Sequence, residues 1–112
     1  MILGFIGCGK ISYSVITGIL SSKLNIKKIY ISKRNYKISS HLRKKYKNII
    51  VSNNNQEIIN KSNWVFLAVT PLVGEKIIKD LKFKPYQTIV SFISTITLSE
   101  LRKMIKVKAD IV

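Results

Sequence analysis

The apolar run Ile2-Leu3-Gly4-Phe5-Ile6 leads directly into Gly7-Cys8-Gly9-Lys10-Ile11-Ser12. A short strand that ends on Gly-x-Gly and opens a helix restricts a chain to few folds. Gly7 permits the tight turn, and Gly9 lets the backbone approach a pyrophosphate. The third position needs a small side chain so that the helix packs on the strand. Ser12 stands where the third glycine is expected, and it is small. A pyrophosphate would then sit at the helix N-terminus, on free N–H groups and the positive end of the dipole. The alternative is an ordinary strand–helix turn that merely uses two glycines.

The rest of the chain supplies the context this loop requires. Ile11, Val15, Ile16, Ile19 and Leu20 recur at helical spacing and predict a helix over 10–22. Lys28–Ser32 reads as a second strand. A basic surface helix follows over 36–46, with Asn35 as its N-cap. Residues 48–51 read as a short strand, and the Asn53-Asn54-Asn55 run opens a helix over 56–61. Residues 64–69 form a continuous apolar strand, as expected where both sheet faces are covered. Thr70 caps the next helix, with Pro71 at its first position. A fifth strand is expected over 88–93. Thr97-Leu98-Ser99-Glu100 is a capping box that opens the last helix. Residues 108–112 read as the beginning of another strand, which suggests a domain cut from something longer. This alternation predicts an α/β fold: a Rossmann-like doubly wound, mostly parallel sheet, with residues 1–112 as a single dinucleotide-binding domain.

The end of the second strand selects the nucleotide. An NAD site places Asp or Glu there for the ribose hydroxyls. The first acidic residue of this chain is Glu57, so that arrangement is absent. The strand ends instead on Ser32-Lys33-Arg34-Asn35, a hydroxyl, an ammonium, a guanidinium and an amide. That set suits a 2′-phosphate and points to NADP(H). The alternative is that Lys33 and Arg34 are two more solvated charges of a basic protein.

The formal charge of +15 raises the question of a nucleic-acid partner. The lysines are scattered singly and in pairs, with no aromatic-interleaved stripe and no arginine cluster. That argues against such a partner and for a Lys/Ile/Asn-rich composition. No apolar run is long enough for a membrane span, and no secretory signal precedes the first strand. The single cysteine excludes an internal disulfide and suits a reducing cytoplasm.

Other chemistry-bearing residues read as structural. Cys8 lies at a helix N-terminus but lacks a partner base, so it reads as a small packing residue. His41, alone on the basic helix, reads as solvated. One His and one Cys make no metal set. Tyr13, Tyr30, Tyr36, Tyr46 and Tyr86 read as packing, and Trp64 as an edge-of-core residue. The five acidic residues are dispersed and form no catalytic pair.

Taken together, "GFIGCGKIS", "IYISKRN", "NNQEII", "VFLAVTP" and "VSFISTITLSEL" resemble the N-terminal domain of pyrroline-5-carboxylate reductase, in order and spacing, over essentially the whole chain. The resemblance implies a cytoplasmic enzyme of proline biosynthesis that passes hydride from NADPH to a cyclic imine acid. Position by position, Gly7, Cys8, Gly9, Lys10 and Ile11 would wrap the pyrophosphate. Ser32, Lys33 and Arg34 would hold the 2′-phosphate, and Asn55 the adenosine ribose. Ala68, Val69, Thr70 and Pro71 would line the nicotinamide side. No side chain of this stretch stands out as a proton donor. Two departures bear on substrate. Thr70 stands where the family usually has lysine, and Ile93-Ser94-Thr95 replaces a smaller-residue loop, which could narrow the imine pocket. The family's C-terminal helical domain, which makes the homo-oligomer and completes the substrate site, has no counterpart here. A nucleotide-binding paralogue without reductase activity is the second reading, and a basic nucleic-acid-binding module the third.

Overall fold

The structure is a computed structural model that describes residues 1–33 and 35–112. Its strands are β1 (Ile2–Ile6), β2 (Lys28–Ser32), β3 (Ile49–Ser52), β4 (Trp64–Leu67), β5 (Thr88–Ser91) and β6 (Asp110–Ile111). The helices between them are α1 (Lys10–Leu20), α2 (Tyr36–Lys45), α3 (Asn55–Lys61), α4 (Pro71–Ile77) and α5 (Leu98–Met104), with a 3₁₀ turn at Ile78–Asp80. The six strands form one sheet in the order β3-β2-β1-β4-β5-β6. Every pairing is parallel, for example Phe5 opposite Ile31 on one side and Phe66 on the other. This is the doubly wound α/β arrangement expected from the alternation of elements.

The pleat divides the core in two. Leu3 and Phe5 of β1 face the side covered by α1 and α2, where Ile16, Leu42, Ile29 and Ile31 are fully buried and Phe66 is buried with them. Ile6 faces the other side, with Ile58, Ile59, Val65, Leu67, Ile89 and Leu101. On the first side the Phe5 and Phe66 rings stack with centroids 4.4 Å apart across neighbouring strands. Gly4 is required by close packing, because a Cβ there would collide with Ser62 Oγ and Ile58 of α3.

Side chains fix where the helices start. The Asn35 carboxamide accepts from Ile38 N–H in α2, and Asn54 accepts from Gln56 and Glu57 in α3. Thr97 and Glu100 complete the expected capping box of α5. Two strands end earlier than their apolar runs. β4 stops at Leu67 because β1 turns away at Gly7, leaving Val69 no strand to pair with. β5 stops at Ser91, whose hydroxyl accepts from Ile93 N–H and turns the chain. His41 is exposed but not alone: its Nε2 lies 3.5 Å from the Tyr13 hydroxyl of α1. Tyr36 and Tyr86 are corrected from packing residues to exposed ones, at 70% and 79%. Among the described residues no helix is long and apolar enough to cross a membrane.

Candidate functional site

The strand order reverses between β1 and β4, so the loops after these strands diverge and leave a crevice at the carboxyl ends. A cavity of about 600 Å³ occupies it, lined by Gly7, Cys8, Gly9, Ala68, Val69, Thr70, Val73 and, from the start of α2, Asn35, Tyr36 and Lys37.

The glycine turn forms the centre. Gly7 adopts φ +88°, and a Cβ there would lie 2.5 Å from the Ala68 carbonyl oxygen. This glycine is demanded by the protein itself. Gly9 is not: its φ of −112° is open to any residue, and an added Cβ would meet nothing within 4 Å. The space in front of it is free for a ligand. Gly9 is also the N-cap of α1 and supplies no side-chain cap, and no acidic residue follows in the first turn. The α2, α3, α4 and α5 N-termini all receive a side-chain cap. The first N–H groups of α1 thus receive no cap from the Gly9 side.

Ser12 answers the question raised by the missing third glycine. It is fully buried, and its hydroxyl donates to the Gly7 carbonyl at 2.8 Å. The side chain is small enough for α1 to pack on β1, and its hydrogen bond braces the turn. Cys8 is buried beside it, and burial pushes its thiol up to about 11. A thiol held protonated there is a packing group and not a nucleophile.

The sequence-derived residues divide by position. Gly7, Cys8, Gly9, Ala68, Val69 and Thr70 meet in the crevice. Lys10 and Ile11 are exposed in the first turn of α1, and Pro71 opens α4. Ser32 is buried at the end of β2 and Lys33 is exposed just after it. Arg34 lies outside the described residues. Asn55 is placed elsewhere, in a larger, open depression of about 960 Å³ between the start of α3 and residues 80–85. The carboxamides of that depression largely serve the fold: Gln56 pairs through both its oxygen and nitrogen with the Lys82 backbone, and Asn54 caps α3. Asn35, named with the 2′-phosphate set, also lines the crevice, and Tyr36, Lys37 and Val73 line it without having been singled out for it. Their signal was position, since the start of α2 follows β2 at the same carboxyl edge.

Both departures from the reductase pattern have structural roles. Thr70 caps α4, its hydroxyl accepting from Val73 N–H at 3.4 Å. Ile93 is buried in the core, with its Cδ1 packed against Gly74, and it does not line the crevice.

Residues 2–96 match the family described as NADP oxidoreductase, coenzyme F420-dependent. Pyrroline-5-carboxylate reductase 3 of Danio rerio is 30% identical over 106 residues, which are 92% of this chain and 36% of that protein. The fold is similar to that of 1-pyrroline-5-carboxylate reductase from Streptococcus pyogenes, with a TM-score of 0.76 at 24% identity over 94% of this chain and 38% of the other. It is similar also to Plasmodium falciparum pyrroline carboxylate reductase, solved with NADP bound, with a TM-score of 0.71 at 21% identity over 92% of this chain and 37% of that one. The chain spans little more than a third of the length of these relatives. The resemblance to the N-terminal part of pyrroline-5-carboxylate reductases is borne out, and the chain belongs to the NADP oxidoreductase, coenzyme F420-dependent, family.

Proposed function

We propose that this chain is the NADPH-binding part of a pyrroline-5-carboxylate reductase. The observation that carries the reading is the crevice at the strand-order reversal, where Gly9 faces open space and the α1 N-terminus has no side-chain cap. When bound, NADPH supplies the hydride that goes to the C=N carbon of the cyclic imine, while the ring nitrogen takes a proton, giving proline and NADP⁺. Gly7 and Gly9 shape the turn against which the pyrophosphate lies, and the α1 N–H groups hold its charge. Ser12 keeps that turn in place through the Gly7 carbonyl. Ala68, Val69 and Val73 give an apolar wall that excludes water from the nicotinamide side. Lys33 and Arg34 contribute positive charge where the 2′-phosphate lies. Proton delivery and recognition of the imine carboxylate belong to the part of the relatives beyond this stretch.

The test is calorimetric titration of the chain with NADPH and with NADH, followed by an assay of NADPH consumption with pyrroline-5-carboxylate on the longest available form of the protein. Calorimetry is preferred to tryptophan fluorescence because Trp64 opens β4 at the end opposite the crevice. Tighter binding of NADPH, with consumption, is the expected result. Binding without consumption identifies a non-reducing nucleotide-binding protein. Binding of neither cofactor, with salt-sensitive binding to nucleic acid, would remove the oxidoreductase reading.

A further inference from the structure

The crevice lies at the carboxyl edge of the sheet, and the opposite, amino edge carries a second built feature. Lys84, Pro85, Tyr86 and Gln87 form a tight turn, closed by Gln87 N–H donating to the Lys84 carbonyl at 3.3 Å. Proline suits the second place of such a turn. The third place takes a positive φ, which glycine or asparagine adopts most easily, and Tyr86 holds it at φ +64°. A bulky residue there is strained, and burial does not offset the strain, since Tyr86 is exposed. The turn is nonetheless held firmly. Gln87 is buried, and its carboxamide donates to the Ile59 and Ser62 carbonyls at 2.9 and 2.8 Å. The same carboxamide accepts from Lys84 N–H, and Tyr86 N–H donates to the Lys108 carbonyl. The fold thus fixes a ring in solvent that its own packing does not use.

A second ring stands beside it. Trp64 lines the same depression of about 350 Å³; it is 38% exposed, and its ring rests against Phe66 at 6.3 Å. Around the two rings the topology gathers cations that the sequence scatters. The helices run back toward the amino edge, and α2, α3 and α5 end there with Lys45, Lys61 and Lys103 in their last turns. Lys27 and Lys108 are exposed just before β2 and β6. Glu57 and Glu100 sit in first turns, at the other edge, while Asp80 and Asp110 are the carboxylates on this side. Rings and cations together select the partner. An acidic peptide would engage the cations and leave the rings in water. A neutral sugar would engage the rings alone. Single-stranded nucleic acid engages both, because unpaired bases offer faces to aromatic side chains and phosphates offer charge to lysines. We infer that the amino edge binds single-stranded nucleic acid, with bases stacking on Tyr86 and Trp64 and the surrounding lysines holding the backbone. The crevice is at the opposite edge, so both can be filled at once.

The test follows the anisotropy of an end-labelled oligothymidylate of about ten residues as the chain is added at low salt. The single strand is expected to bind about tenfold tighter than a duplex of the same length, with affinity falling as salt rises. Tyr86→Ala is expected to weaken it about tenfold, and Tyr86→Phe by less than about twofold. Tyr86→Gly separates binding from folding. Glycine relieves the turn, so the melting temperature should hold or rise while affinity falls as in the alanine variant. Lys108→Ala should weaken binding about two- to fivefold and flatten its salt dependence. Saturating NADPH should leave the oligonucleotide bound. No binding, equal binding of the duplex, displacement by NADPH, or a Tyr86→Gly variant that binds as the unaltered chain would each overturn the assignment. Tighter binding of polyglutamate than of the oligonucleotide would also overturn it, in favour of an acidic protein partner. The reading of the crevice fails separately, in its own cofactor titration.

Discussion

Two strand-to-helix turns face each other across the crevice, and they are finished differently. The turn after β1 ends on Gly9, which gives α1 no side-chain cap and has open space at its Cα. The turn after β4 ends on Thr70, which caps α4 with its own hydroxyl. Both begin at the carboxyl end of a central parallel strand, so topology alone does not distinguish them. The difference lies in where the helix N–H groups find their partners. In the second turn the protein supplies one. In the first it does not. Under the proposed function the second turn is a wall, and the first is the binding element, whose helix a ligand's negative charge would complete. Gly7 joins them, because its missing Cβ lets the Ala68 carbonyl lie against it.

The largest effect is expected where the two turns touch. Gly7→Ala would place a Cβ 2.5 Å from the Ala68 oxygen and 2.8 Å from Val69 Cγ1, on a backbone at φ +88°. Urea denaturation should show a loss of about 2–4 kcal/mol, from clash and left-handed strain together. A loss within about 0.5 kcal/mol, the range of an indifferent surface change, would mean that the two turns have slack and are not one unit. Cys8 sharpens the same point. Burial pushes its thiol up to about 11 in the folded protein, from an ordinary value of 9.0. Between those values the unfolded chain holds fewer protons, so stability falls as pH rises through this window and is unaffected by Cys8 below it. The contribution lost by the upper end is about 2–3 kcal/mol. Stability measured by denaturation across the window should therefore fall more steeply for the natural chain than for Cys8→Ala.

Much of this contrast was legible in the sequence. Glycine at position 7, threonine before proline at 70 and 71, and the capping box at 97–100 each name their local geometry, and the structure follows them. Hydropathy was less exact about strand ends, because it reports burial and not hydrogen bonding. Val69 stays apolar beyond the sheet because it lines the crevice, and Ile93 because it packs near Gly74. Tyr36 and Tyr86 were misread because composition does not distinguish an exposed ring from a packed one. Asn55 follows β3 at the expected edge and lines the depression beside residues 80–85.

Gly9→Ala separates binding from folding. Its Cβ would meet no protein atom within 4 Å, so denaturation should change by no more than about 1 kcal/mol, the cost of alanine in place of glycine at an N-cap. NADPH affinity measured by calorimetry should fall at least about tenfold, roughly 1.4 kcal/mol, because the methyl group occupies the space in which the phosphate approaches the backbone. Unchanged affinity would make the first turn no different from the second.

The smallest effect is expected in the wall. Thr70→Ala removes the cap of α4, a contribution of typically about 1 kcal/mol, here at the lower end because the hydrogen bond is long at 3.4 Å. Thr70→Asn, which restores an acceptor, should recover most of that loss. NADPH affinity should change less than twofold in either variant, since this turn satisfies its own N–H group whether or not a ligand is bound. A large loss of affinity in Thr70→Ala, with stability preserved, would reverse the assignment. The hydroxyl would then be serving the ligand, and the two turns would share the binding role that the geometry gives to the first.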